Sequence, residues 1–332
     1  MLSDLVHDLQ ASLSILHKQD IQTAAHTLGQ FVKNQTGDAI RLGDDCAAIP
    51  NGDHYLLLAS EGIWPQLVER EPWFAGWCAV MVNISDIAAM GGVPTAIVDA
   101  LWSPSLEASQ PLWEGMKAAA KAYGVPIVGG HTNCHSPYAG LAVSILGKAD
   151  CLINSFDAKP DDALVIVINM EGEYFGEYPF WNAATAAAPE VLRSHLTLLP
   201  KLAQSNLANA GKDISMGGIA GTLLMLAETA HCGACLELES LPRPPQVPWQ
   251  KWLTSFPSFG FLLSVPPKNV AAVQEIFHPH GLVCAAIGEM TAGTEVYFHY
   301  QGEQQKLWDL QQPLTGFGAI SSRDPILGKR RA

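Results

Sequence analysis

The chain predicts two mixed domains, an α/β half followed by an α+β half. Three observations predict this. Short β-like runs alternate with helix-like stretches through the first half. A polar break, "NSFDAKPDD" (154–162), contains Pro160 and is followed by a fresh apolar strand, "ALVIVI". The 332 residues, 48% hydrophobic and 15% charged, are also enough for two globular cores.

Residues 1–35 read as helical, because Leu5, Leu9, Leu13, Ile15 and Leu16 recur three and four apart. The runs "AIRL", "YLLLAS", "TAIVDALW", "VPIVGG" and "GLAVSILGKA" read as strands. Helices are expected over 73–90 and 105–123. After the break, strands are expected at "ALVIVI", "GFLLSV" and "VCAAIGEM", with helices near 189–210, 217–231 and 268–278. The segment "LPRPPQVPW" (241–249) reads as an extended surface loop. The domains therefore run over 1–155, with 1–35 as a helical extension, and over 156–332.

The formal net charge is −13. A field of that sign disfavours nucleic acid and anionic membrane surfaces. It is compatible with a nucleotide whose phosphates arrive with magnesium, since the cation reverses the local sign. The start "MLSDLVHDLQ" lacks the basic and apolar stretches of a secretory signal, and apolar runs fall far short of the ~20 residues a membrane helix needs. A cytoplasmic location is expected. Seven scattered cysteines suit reduced thiols better than a disulfide framework.

Four stretches carry candidate chemistry. "GDDCAAIP" (43–50) sets Asp44 and Asp45 side by side before an apolar run; a surface turn and a metal site both explain it. The charges beside Cys46 should raise its pKa and disfavour a nucleophilic role. In "VNISDIAAMGGVP" (82–94), Asn83 and Asp86 share a helix face, and Gly91, Gly92 and Pro94 end that helix. Either a solvated polar face or a carboxylate aimed into a cleft fits. In "VGGHTNCH" (128–135), Gly129 and Gly130 end a strand, where bare backbone amides suit phosphate; a tight turn explains them equally well. In "GKDISMGGIAGTLLMLAE" (211–228), Asp213 or Ser215 can cap a helix whose first turns are left bare by Gly217, Gly218 and Gly221. A capped helix packed closely on a neighbour is the plain alternative.

Taken together and in this order, these stretches resemble the AIR synthase-like (PurM-like) superfamily. "GDDCAAI" is similar to its Gly-Asp-Asp-x-Ala motif, "WFAGWCAVMVNISDIAAMGGVP" to its thiamine-monophosphate-kinase-type helix, and "VGGHT" to its Gly-Gly-x-Thr loop. "KDISMGGIAGTL" resembles the segment opening its C-terminal ligand helix, and the similarity runs from about residue 37 to 293. The resemblance implies a two-domain PurM-like fold whose N-terminal sheets pair into a barrel across a homodimer. It implies an enzyme using ATP and magnesium to phosphorylate a small molecule, or to activate it by phosphorylation. Asp44, Asp45, Glu61, Asp86 and Asp213 would hold magnesium. Gly129, Gly130, Thr132, Ser215, Gly217 and Gly218 would contact the nucleotide, and His131 or Asn133 would orient the acceptor. The chain departs from the pattern at Glu61, at His131 (aspartate in the kinases) and at Met216 (an acid in the kinases). These departures motivate a second reading, a nucleotide-binding homodimer with little or no turnover. Cys232 and Cys235 form a lone Cys-x-x-Cys with no second pair, so small packing residues are expected there rather than zinc. Trp64, Trp73, Trp77, Trp102 and Trp113 are expected in core or interface packing.

Overall fold

The structure, a computed structural model, describes residues 1–318. In the first half, five strands form one sheet in the order Ala47–Asn51, His54–Gly62, Gly140–Ala149, Val93–Trp102, Ile127–Asn133. All neighbours are antiparallel except the last pair, which is parallel and joined across the helix Leu106–Tyr123. Alternation along Gly140–Ala149 sends Leu141, Val143 and Ile145 inward, where two 18-residue helices, Pro72–Ala89 and Leu106–Tyr123, cover them. Ser105 caps the second helix, its hydroxyl accepting from Ala108 N–H at 3.1 Å, and left-handed Gly124 ends it. The two helices touch backbone to backbone at Gly76 and Gly115, where a Cβ would run into carbonyl oxygens of the facing helix. The opposite face of the sheet leaves Leu58, Val98, Val128 and Leu146 exposed. The sheet is open: its two edge strands do not pair with each other.

In the second half, seven strands run in the order Ala210–Asp213, Gly260–Val265, Ala163–Ile168, Val283–Thr291, Gly233–Glu237, Glu295–Tyr300, Glu303–Asp309. The run "ALVIVI" lies at the centre, buried on both faces, as an unbroken apolar strand should. One face packs on the helix Gly218–Ala230, the other on Leu198–Gln204 and Val270–Phe277. The expected helix near 189–210 is two shorter ones, Pro189–Leu196 and Leu198–Gln204, joined at Thr197.

The extension at the start packs on the second half, not on the sheet that follows it in sequence. Leu2, Leu5, Val6 and Leu9 of the helix Leu2–Gln10 are buried in the same core as Leu223, Val296 and Leu307. Gln10 Nε2 donates to Leu307 O at 2.9 Å. In "LPRPPQVPW", Leu241 and Val247 are buried, and the Arg243 guanidinium lies 4.2 Å above the Trp249 ring, so the stretch is partly anchored. All seven cysteines are free. Among the described residues, no helix is long and apolar enough to cross a membrane.

Candidate active site

A cavity of about 730 Å³ lies between the two halves, bounded by the extension, the helix Pro72–Ala89, the turn at Ser215 and Met216, and Met225 and Thr229 of the helix Gly218–Ala230. Its polar end is built by chain crossings distant in sequence. The turn before Ala47–Asn51 brings Asp44 and Asp45, the end of His54–Gly62 brings Glu61, and the helix Pro72–Ala89 turns Asp86 inward. The end of Ala210–Asp213 brings Lys212 and Asp213. Carboxylate oxygens of Asp45, Asp86 and Asp213 converge within 4.8 Å of one another.

Each acid has its own setting. Asp44 accepts Ser155 N–H at 2.9 Å and Asp45 N–H at 3.0 Å, tying the turn to the segment linking the two halves. Burial and then the Asp45 charge push the Asp44 carboxyl up to about 6. Asp45 accepts from the Lys212 ammonium and from Asp213 N–H, the latter at 3.2 Å. Asp86 is buried, and its Oδ2 has no hydrogen-bond partner among the described residues. Burial first, then Asp213 and Glu61, hold the Asp86 carboxyl well above the usual range. Burial and Asp45 do the same to Asp213, and the surrounding protein raises Glu61 against the pull of Lys18. Burial would lower the Lys212 ammonium, but Asp45, Asp44 and Asp213 outweigh it and raise it. Cys46 lies beside this cluster with its thiol pushed far up, by burial first and then by Asp86 and Asp45.

A buried orphan carboxylate oxygen among mutually repelling acids is an arrangement that a hard divalent cation relieves. The donor set is all oxygen, which fits magnesium.

Sequence reasoning missed two cations and an apolar arm. Lys212 stands on a strand whose burial pattern does not alternate, so the sequence has no period to mark it as inward-facing. Lys18 comes from the extension; its ammonium donates to Ser215 Oγ at 3.3 Å, and burial lowers its pKa against the attraction of Asp213. The arm is walled by Phe74, Trp77, Met81, Phe180, Trp181 and Phe256. Three of these ride on a small sheet of Glu173–Tyr174, Phe180–Asn182 and Phe256–Pro257, none of which stood out as a strand. Trp77 Nε1 is buried and has no hydrogen-bond partner among the described residues.

A buried clamp shapes the last wall. The Glu228 carboxylate accepts the N–H groups of Leu314, Thr315 and Gly316 at 2.8, 2.8 and 3.1 Å, and the Thr315 hydroxyl at 2.7 Å. This holds Thr315 and Phe317 against the cavity, and Gly43, at φ +101°, leaves room for the Phe317 ring.

The anticipated site residues divide in two. Asp44, Asp45, Glu61, Asp86, Asp213 and Ser215 line the cavity. The N-cap of the helix Gly218–Ala230 is Gly217, not Asp213 or Ser215, so neither of those side chains is consumed by capping. Gly218, at φ +66°, is packed against the backbone of Leu253 and Thr254 and stands behind the cavity wall. Gly129, Gly130, His131, Thr132 and Asn133 lie outside the wall, on the edge strand Ile127–Asn133. The glycines sit within that strand rather than in a turn, and Gly130 makes room for the Asp99 carboxylate. Asn133 Oδ1 accepts His135 N–H at 2.9 Å, and the His131 ring lies 6.5 Å from that of Trp102.

Residues 43–149 match the AIR synthase related protein N-terminal domain and residues 164–301 its C-terminal domain, and the chain belongs to that family. It is 54% identical to the uncharacterized protein sll0787 of Synechocystis over 96% of this chain and 99% of that one. It is 27% identical to thiamine-monophosphate kinase of Pyrococcus horikoshii over 86% of this chain and 93% of that one. T. maritima PurL complexed with ATP has the same fold, with a TM-score of 0.72 at 18% identity over 93% of this chain; the chain spans only 53% of that longer protein.

Proposed function

We propose that the protein is an ATP- and magnesium-dependent enzyme that phosphorylates a small molecule, or activates it by phosphorylation. The observation that carries this reading is the convergence of Asp45, Asp86 and Asp213, with an unpartnered buried oxygen, at the polar end of a cavity whose other arm is aromatic. Membership in a family with a thiamine-monophosphate kinase among its relatives supports it.

Asp45, Asp86 and Asp213 would hold magnesium, with Asp44 and Glu61 beside them. Magnesium, when bound, supplies charge neutralisation of the phosphates. The chain's own part is positioning. Lys18 and Ser215 would face the phosphates from the extension and from the turn after Asp213. The aromatic arm seats the acceptor and excludes water, leaving an amide, carboxamide or phosphate oxygen of the acceptor as the nucleophile.

A second copy is expected on the open face of the first sheet, against Leu58, Val98, Val128 and Leu146. In the pair, Gly129, Gly130 and Thr132 would contact nucleotide, and His131 and Asn133 would orient the acceptor, at the shared face. The compartment expected for this chemistry is the cytoplasm.

Calorimetry of ATP with and without magnesium tests the reading. Binding that requires magnesium, followed by ADP release with a small-molecule acceptor, is the expected result. No magnesium-dependent binding overturns it. Tight binding with no ADP release across acceptors favours the nucleotide-binding reading, which Met216 at the position of a kinase acid motivates.

A further inference from the structure

A second cluster lies on the sheet of the C-terminal half, away from the cavity. On the strand Gly233–Glu237, Ala234 and Leu236 point into the core with the helix Gly218–Ala230, so Cys235 and Glu237 share the opposite face. Parallel pairing sets Glu237 beside His299 of the strand Glu295–Tyr300. One ligand atom from each of Cys235, Glu237 and His299 lies within 4.8 Å of the other two. His299 Nδ1 is 2.8 Å from Glu237 Oε1, and the Cys235 thiol donates to the same oxygen at 3.9 Å. His299 Nδ1, close to Glu237, is the ring nitrogen presented to the other two ligands; Nε2 is buried and has no partner among the described residues. Cys235 is 7% exposed, whereas the His299 and Glu237 side chains are 35% and 44% exposed, so solvent reaches the cluster from one side.

We propose that Cys235, Glu237 and His299 form a binding site for a divalent transition-metal cation of the zinc class. The donor chemistry selects the ion: a thiolate and an imidazole suit zinc or cobalt, whereas magnesium takes oxygen ligands. The site is therefore chemically distinct from the carboxylates of the cavity. The three ligands stand on paired strands, a rigid base. Three protein ligands leave a fourth tetrahedral position for water on the exposed side. Charge argues the same way. Glu289 stands opposite Cys235 in the antiparallel ladder and Glu237 accepts from it, so two carboxylates face the buried thiol. A cation at the centre removes that repulsion. On binding, the Cys235 S–H bond breaks, the sulfur keeps the electron pair for the metal, and the proton passes to bulk water. Cys232 takes no part, because its thiol points to Ala158 O and Ala230 O, each at 3.6 Å. The Cys-x-x-Cys spacing is thus not the chelating unit; Cys235 with Glu237 and a residue 64 positions further on is.

Cobalt(II) titration of the full, untagged, chelator-treated chain tests this without nucleotide. One equivalent is expected to bind with a sulfur-to-cobalt charge-transfer band in the near ultraviolet, and zinc is expected to displace it. Cys235→Ser should abolish that band. His299→Ala should weaken cobalt binding by about tenfold or more. Glu237→Gln, nearly isosteric and more exposed, keeps the test open if Cys235→Ser misfolds: it should weaken cobalt while retaining the band. No thiolate band in the unaltered chain overturns the proposal. So does a band that survives in folded Cys235→Ser, or cobalt affinity unchanged in both Glu237→Gln and His299→Ala.

Discussion

At the scale of single residues, the cavity acids are held in a state that costs stability and favours a ligand. Asp86 illustrates this: it is buried, repelled by Asp213 and Glu61, and unpartnered at Oδ2. Asp86→Asn should therefore leave the ligand-free protein as stable as before or more so, while turnover falls by roughly a hundredfold or more. Thermal melts with and without magnesium–ATP, beside a rate assay, separate the two effects. Lys18 makes a complementary case. It reaches the site from a segment whose only sequence signal is helical periodicity. Lys18→Met should raise KM for ATP more than it lowers kcat, because the ammonium can meet phosphate in the ground state as well as the transition state.

At the scale of elements, two contacts decide whether the cavity keeps its shape. The helices Pro72–Ala89 and Leu106–Tyr123 meet at Gly76 and Gly115, where the obstructing atoms are backbone carbonyls that cannot rotate away. Gly115→Ala should destabilise the fold by about 1–3 kcal/mol or more, read by urea denaturation. The first helix is an integral part of the second core rather than an appendage. Leu9, fully buried there, should cost about 2–5 kcal/mol when replaced by alanine. A Leu9→Ala protein that unfolds at the original urea midpoint would show the helix to be dispensable.

At the scale of the whole molecule, the acid cluster couples stability to pH. Asp44 rises from an ordinary 3.8 to about 6 on folding, and Asp86 and Asp213 also rise. The folded state then binds more protons than the unfolded one between those values. The contribution of Asp44 is complete below 3.8 and is lost as pH climbs through about 6. With magnesium–ATP absent, the melting temperature attributable to this cluster should fall across that window. Saturating magnesium–ATP should flatten the fall, because it favours the ionised acids. Melts across pH with Asp44→Asn as the control check the sign. Assembly belongs to this scale too. Leu146→Glu on the open sheet face should shift a dimer to monomer in sedimentation equilibrium, with the cavity core intact.

Much of this was legible in the chain alone. Unbroken apolar runs such as "ALVIVI" and alternating ones such as "GLAVSILGKA" determine central and half-covered strands, because burial on two faces or one imposes that pattern. Asp44, Asp45, Asp86 and Asp213 stood out because their stretches, taken together and in order, resemble the family's motifs; each stretch alone had a plain alternative. What the chain could not disclose is which distant surfaces meet. The periodicity of residues 1–35 marks an apolar face but not its partner, so the packing of Leu2–Gln10 on the second half was decided by tertiary structure. Lys212, Glu228 and the aromatic arm acquired their roles in the same way. The Lys212 and Glu228 side chains are placed by contacts across 167 and 86 positions of chain, distances over which local propensity carries no information.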